Sequence, residues 1–224
     1  MHRRALLGAV GTGVAGLAGC RTTAVTGDSG GTATPPTCDG PVPRRVSLVD
    51  TGDITAVDGL AVSATVPRAR SDAEEPARLR TTVENAGDEP RELNVHEDDR
   101  CHLFDRDGRS EPRGLRLYHP DDTPTDRAGE CWTSDAVPPD SVEDPLYGCT
   151  TAELGPGESL TTTYEVWDDY TADGYLPTDT YRIATGFKIR ANGDDAARAT
   201  DPGRPFERVE WWLDLRVEQP SDGE

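Results

Sequence analysis

Three kinds of side chain in this sequence have the type and spacing to do chemistry. The first is cysteine, present as Cys20, Cys38, Cys101, Cys131 and Cys149. Cys20 belongs to the N-terminal signal described below. The other four form an even set with three available pairings. We expect Cys131 with Cys149 and Cys38 with Cys101, the rival pairings remaining open. The first bridge would close the stretch 131–149, which is rich in Pro and Asp and poor in apolar residues. A crosslink of that span contributes ~3 kcal/mol by restricting the unfolded chain. The second would staple the end of the N-terminal linker to the folded body.

The second kind is a metal-ligand cluster. His96-Glu97-Asp98-Asp99-Arg100-Cys101-His102 is dense in donors. A copper site of the two-His, one-Cys kind commonly adds an axial Met, whereas Met1 is the only methionine and Cys101 has a disulfide role. His96 and His102 therefore read as an exposed polar loop. For calcium, Asp169-x-Thr171-x-Asp173-Gly174 has the first half of a binding loop, but Thr180 stands where a bidentate Glu is needed. Asp105-x-Asp107-Gly108 reads more simply as a turn. No metal or cofactor is expected, with calcium or copper binding at the surface kept as an alternative.

The third kind is a serine, Ser29, in Gly27-Asp28-Ser29-Gly30-Gly31, letters that resemble the nucleophile loop of chymotrypsin-like proteases. Such a serine needs a His base and an orienting acid on a folded scaffold. Here it lies in a tether, and His2 belongs to a segment expected to be cleaved. Neither a phosphate-binding Gly loop followed by Lys nor a pair of metal histidines occurs elsewhere. The chain is expected not to be an enzyme.

Residues 1–20 read as an export signal. Arg3 and Arg4 precede an apolar run from Ala5 to Ala18, shorter than the ~20 residues a membrane span needs. The paired arginines followed by Ala-Leu-Leu resemble the twin-arginine export signal. Leu17-Ala18-Gly19-Cys20 resembles the lipobox of bacterial and archaeal lipoproteins, in which cleavage precedes the cysteine and its sulfur carries lipid. This resemblance implies export and anchoring to the outer face of the cell membrane through Cys20. The stretch 21–45 is Thr, Gly, Ser and Pro with few apolar residues, too few to offset its chain entropy, and reads as a flexible linker. A tail at 219–224 reads as disordered.

The 224-residue chain carries 23 Lys plus Arg against 42 Asp plus Glu, a formal charge of -19. Nucleic acid is excluded as a partner, because phosphate binding needs clustered cations. Lys188 is the one lysine, and the carboxylates are dispersed along the chain. Such a surface stays hydrated in concentrated salt, where the Debye length is ~3 Å at 1 M. The composition resembles that of extremely halophilic archaea.

From about 46 to 218 the pattern is strands. Leu79, Thr81 and Val83 alternate with Arg78, Arg80, Thr82 and Glu84, the period of a half-buried strand. Pro90 to His96 continues after the Asn85–Asp88 turn, and we expect the two to form a hairpin. Cys101 to Asp105 and Leu115 to Tyr118 read as a second pair across Asp107-Gly108. Ser159 to Trp167, Thr180 to Lys188 and Glu207 to Val217 alternate clearly, and Val46 to Asp50 and Leu60 to Val66 more weakly. The expected fold is all-β: an antiparallel β-sandwich of seven to eight strands, with a cysteine-bracketed insertion at about 119–149.

One stretch resembles a known family. Leu154-Gly155-Pro156-Gly157-Glu158-Ser159 opens a strand that ends at Trp167-Asp168, followed by Asp173-Gly174-Tyr175-Leu176-Pro177 and Thr180-Tyr181-Arg182-Ile183. This is similar to the C-terminal part of the immunoglobulin-like domain of the intracellular proteinase inhibitor (BsuPI) family. Asp179-Thr180 stands where that family has Pro-Gly. The resemblance implies an immunoglobulin-like fold, with Leu176 and Tyr181 placed as in a tyrosine corner. Together these readings predict a lipid-anchored, cell-surface binding or structural module, with a surface protein or glycan as ligand. A surface proteinase inhibitor is the other alternative.

Overall fold

Strict alternation turns a chain poor in apolar residues into two half-buried sheets, and the computed structural model resolves how they assemble. It describes residues 43–54, 57–94, 103–104, 108–121, 123–124, 127–134, 152–190 and 206–220. The chain divides into Met1–Ala33 and Thr34–Glu224, and every described residue belongs to the second unit.

The described residues form eleven strands: β1 (Arg44–Thr51), β2 (Leu60–Arg68), β3 (Arg70–Ser71), β4 (Ala77–Asn85), β5 (Arg91–Asn94), β6 (Ser110–Glu111), β7 (Leu115–Tyr118), β8 (Ala152–Leu154), β9 (Ser159–Asp168), β10 (Thr180–Arg190) and β11 (Phe206–Glu218). A seven-stranded sheet runs β3-β1-β11-β10-β5-β8, with β6 also on β10, and a four-stranded sheet runs β2-β4-β9-β7. Every pairing is antiparallel. The fold is thus the all-β antiparallel sandwich that the alternation predicts. The strands beyond the expected seven or eight are short pieces of two or three residues, too brief to show a period.

Between the sheets, β11 contributes Val209, Trp211, Leu213, Leu215 and Val217, all buried, and β9 contributes Tyr164 and Val166. Phe104 packs edge-on to Tyr164 with centroids 5.5 Å apart and lies 5.9 Å from Trp211. The Tyr164 hydroxyl accepts the backbone N–H groups of Leu103 (2.9 Å) and Phe104 (3.1 Å). A chain crossing the apolar interior there has its amides satisfied, and burial pushes the Tyr164 phenol up to about 12.

Two expected pairings are corrected. β4 and the following β5 do not form a hairpin: β4 lies between β2 and β9, while β5 lies between β10 and β8 in the other sheet. The reason is Asn85, fully buried at the end of β4. Its side-chain amide donates to the carbonyls of Glu89 (2.8 Å) and Leu154 (2.9 Å), and its Oδ1 accepts from Gly87 N–H (3.1 Å). These bonds steer the chain out of one sheet into the other rather than back on itself. Likewise β7 pairs with β9 rather than with a strand at 101–105. Leu103 and Phe104 are core residues outside any strand, and the rest of that expected strand lies outside the described residues.

Candidate functional site: a buried ionic knot outside the sandwich

On β7, Leu115 and Leu117 face the core, so pleating turns Arg116 and Tyr118 to the outer face, opposite Trp167 and Glu165 of β9. Outer-face residues are ordinarily wet. Yet Arg116 is 2% exposed and Tyr118 8%. Tyr118 packs on Trp167 with centroids 5.3 Å apart, and Trp132, from the segment 127–134, packs on the same indole at 5.4 Å, both edge-on. Asp168 N–H donates to the Trp132 carbonyl at 2.8 Å. The Trp132 indole donates to the Asp72 carbonyl at 2.6 Å, and the Arg127 guanidinium lies 4.2 Å over its ring. Part of the expected insertion is thus laid on the sandwich as a second, smaller core.

Charge is enclosed in it. Arg116 Nε lies 3.5 Å from Asp169 Oδ1, and Asp169 is fully buried. The Asp169 Oδ1 also accepts from the Thr171 N–H (3.1 Å) and hydroxyl (2.8 Å). Arg116 Nη1 reaches the Tyr118 hydroxyl at 3.5 Å, and its guanidinium stands 5.5 Å from the Tyr170 ring centroid. Arg116 Nε and Nη2 and Asp169 Oδ2 make no hydrogen bond among the described residues. The pair is held mainly by charge in a poorly hydrated setting, where loss of one partner strands the other.

Next to it, Asp168 is 3% exposed. Its Oδ1 accepts the Leu176 N–H at 2.7 Å. Burial pushes its carboxyl up to about 6; the bonds from Leu176 and Thr133 oppose the rise, and the neighbouring Asp169 charge adds to it. Leu176 is held at φ 41, a left-handed conformation that residues other than Gly, Asn and Asp rarely adopt. Asp168 holds its N–H, and Arg44 Nε donates to its carbonyl at 2.9 Å. One residue on, the Pro177 carbonyl accepts the Tyr181 hydroxyl at 2.7 Å. Tyr181 is buried against Gly114, where any Cβ would overlap the phenol ring.

The calcium-like triplet is therefore taken up otherwise: Asp169 faces Arg116, and Asp173 is exposed. Among the described residues no group of three or more His, Cys, Asp or Glu is placed to hold a metal ion. His119 Nδ1 accepts the Asp121 N–H at 3.3 Å. Arg3, Arg4, Leu17, Ala18, Gly19, Cys20, Ser29, Cys38, His96, Cys101, His102, Asp105, Asp107 and Cys149 lie outside the described residues. Of the expected cysteine set only Cys131 is described, and it is fully buried. Sequence reasoning missed Arg116, Trp132 and Asn85. The available signal was the crowding of Tyr118, Trp132 and Trp167 on polar positions, because large aromatics seldom stay in water.

Among the described residues no helix is long and apolar enough to cross a membrane. The chain matches no family model, no curated protein and no solved structure.

Proposed function

We propose that this chain is an exported lipoprotein whose sandwich is a non-catalytic binding or structural module held at the outer face of the cell membrane. The observation that carries this is the order of Arg3-Arg4, the apolar run Ala5 to Ala18 and Leu17-Ala18-Gly19-Cys20, followed by a polar linker. Each part alone is common, and the sequence of parts at this spacing is what a lipoprotein signal requires. The site supports a structural role. Its ionisable groups, Arg116, Asp168 and Asp169, face one another and the backbone of neighbouring loops, so they serve to fix those loops.

The Tyr181-to-Pro177 bond and the left-handed Gly157 (φ 75) in the Leu154–Ser159 turn support the immunoglobulin-like reading. A disulfide at Cys131 is in keeping with its full burial in a bonded form, and Cys149 is the partner we favour. The dispersed carboxylates favour a setting of high salt, where self-repulsion is screened. The ligand class we favour is a surface protein or glycan.

Replacing the lipid acceptor tests the reading. Cys20→Ser should move the protein from the detergent-extracted membrane fraction to the medium while leaving its circular dichroism unchanged. Equal membrane retention of the variant would overturn it.

A further inference from the structure

We infer that the outer edge of β2 docks against the same edge of a second copy, joining two four-stranded sheets into one of eight strands. The inference is independent of membrane anchoring and starts from how the four sheet edges are protected. An open edge offers unpaired N–H and C=O groups to any passing strand, so proteins shorten, cover or charge their edges. Here β3 and β8, the edges of the large sheet, have two and three residues. The β7 edge is covered, since Arg109 bridges to Arg116 and Leu117 N–H donates to the Gly108 carbonyl at 2.8 Å. β2 is the exception. It has nine residues, and among the described residues no strand pairs with its outer side. From Leu60 to Pro67 it reads LAVSATVP, without one charge in a chain that is 29% charged.

The register follows from which backbone groups are already engaged. Asn85 N–H donates to the Glu158 carbonyl (2.9 Å), and the Asn85 carbonyl accepts from Gly157 (2.7 Å), so Asn85 points its backbone toward the β9 side. Alternation then turns Glu84, Thr82 and Arg80 toward β2, where they meet Ala61, Ser63 and Thr65. The polar groups of Val62, Ala64 and Val66 are left facing outward. Their side chains are half-buried and packed against the rim of the core, so a strand laid alongside covers apolar surface as well as backbone. Pro67 and a β-bulge between Thr65 and Arg68 end the run.

In a twofold antiparallel arrangement, pairing Val62 with Ala64 of the second copy keeps core-facing residues on the core face and joins outward-pointing backbone to outward-pointing backbone. It sets Ser63 against Ser63 on the axis. It also brings exposed Asp58, two residues before β2, to the end where Arg68 of the second copy stands, bridged to its own Asp72 (3.2 Å) and Glu75 (3.1 Å). Residues 60–67 of both copies contain no carboxylate, and molar salt screens the net charge of -19 on each copy.

Light scattering and cross-linking of the full chain, carrying Cys20→Ser for solubility, test this in molar KCl. The expected mass is twice that of the chain. Ser63→Lys, at an exposed position, places like charges across the axis and should return the single-chain mass with an unchanged circular dichroism spectrum. Ser63→Cys should form an intermolecular disulfide, because non-hydrogen-bonded antiparallel partners have Cα atoms ~4.5 Å apart, within the ~4.4–6.8 Å a disulfide spans. Thr65→Cys, facing Ala61 of the second copy, should not. A single-chain mass before mutation, a dimer that survives Ser63→Lys, or Thr65→Cys linking as readily as Ser63→Cys would each overturn the inference.

Discussion

The sandwich has two interiors that follow opposite rules. Between the sheets, Leu213, Leu215, Ile183 and Val166 are buried by simple alternation and need no partner beyond apolar neighbours. Arg116 outside the small sheet, and Asp168 and Asp169 at the end of β9, are just as buried, but each must be matched by a specific group because ionised side chains are costly to desolvate. The first interior tolerates exchange of one hydrophobe for another. The second is a set of mutual dependencies, and its stability is conditional on pH and on every member being present.

Paired truncations sharpen this difference most. Trp211→Ala and Arg116→Ala should each lower unfolding free energy by about 3–5 kcal/mol, the first through a cavity and the second by stranding Asp169. Adding Asp169→Asn to Arg116→Met should restore most of the loss, and chemical denaturation in high salt measures both. No second polar change should rescue Trp211→Ala. If Arg116→Ala alone proves neutral, the enclosed pair is not under the stress described.

Next in size is pH. Asp168 has its pKa raised to about 6 in the folded protein, above the ~3.9 of an unfolded Asp. Its ionised form is the one folding disfavours, so its penalty is absent below pH ~4, grows as pH rises toward 6, and is complete above that. Asp168→Asn keeps an acceptor for the Leu176 N–H and should therefore stabilise the protein by about 3 kcal/mol above pH 6, at ~1.4 kcal/mol per pKa unit. The variant should match the parent near pH 4. Destabilisation by Asp168→Asn at pH 7 would show that the carboxylate charge itself is needed. The smallest effect expected is that of Tyr181→Phe, which removes the bond to Pro177 for a cost of about 1 kcal/mol. Thermal melts can resolve it.

The same contrast explains what could be read in advance. β9, β10 and β11 follow from period two within a residue or two at each end, because burial between two sheets leaves its mark on every second position. The turn at Gly157 was legible from local letters, and the tyrosine bond of Tyr181 was an expectation of the family resemblance. What failed was non-local. Nothing in Leu115–Tyr118 says that its polar side will be buried beside Trp167, on which Trp132 packs, and alternation assigns Arg116 to water with good local reason. The break between β4 and β5 was hidden for the same cause: Asn85-Ala-Gly-Asp is an adequate hairpin turn, and only the distant Leu154 carbonyl reveals the amide's other task.

That amide has one more implication. Two sheets touching only through hydrocarbon can glide over each other at little expense, since dispersion contacts are numerous but undirected. Asn85 ends a strand of one layer while grasping the carbonyl of Leu154 in the other, and directional bonds do not glide. The layers are thereby indexed to a fixed offset and should come apart as a unit, so that amide exchange in β4 and β8 keeps common time.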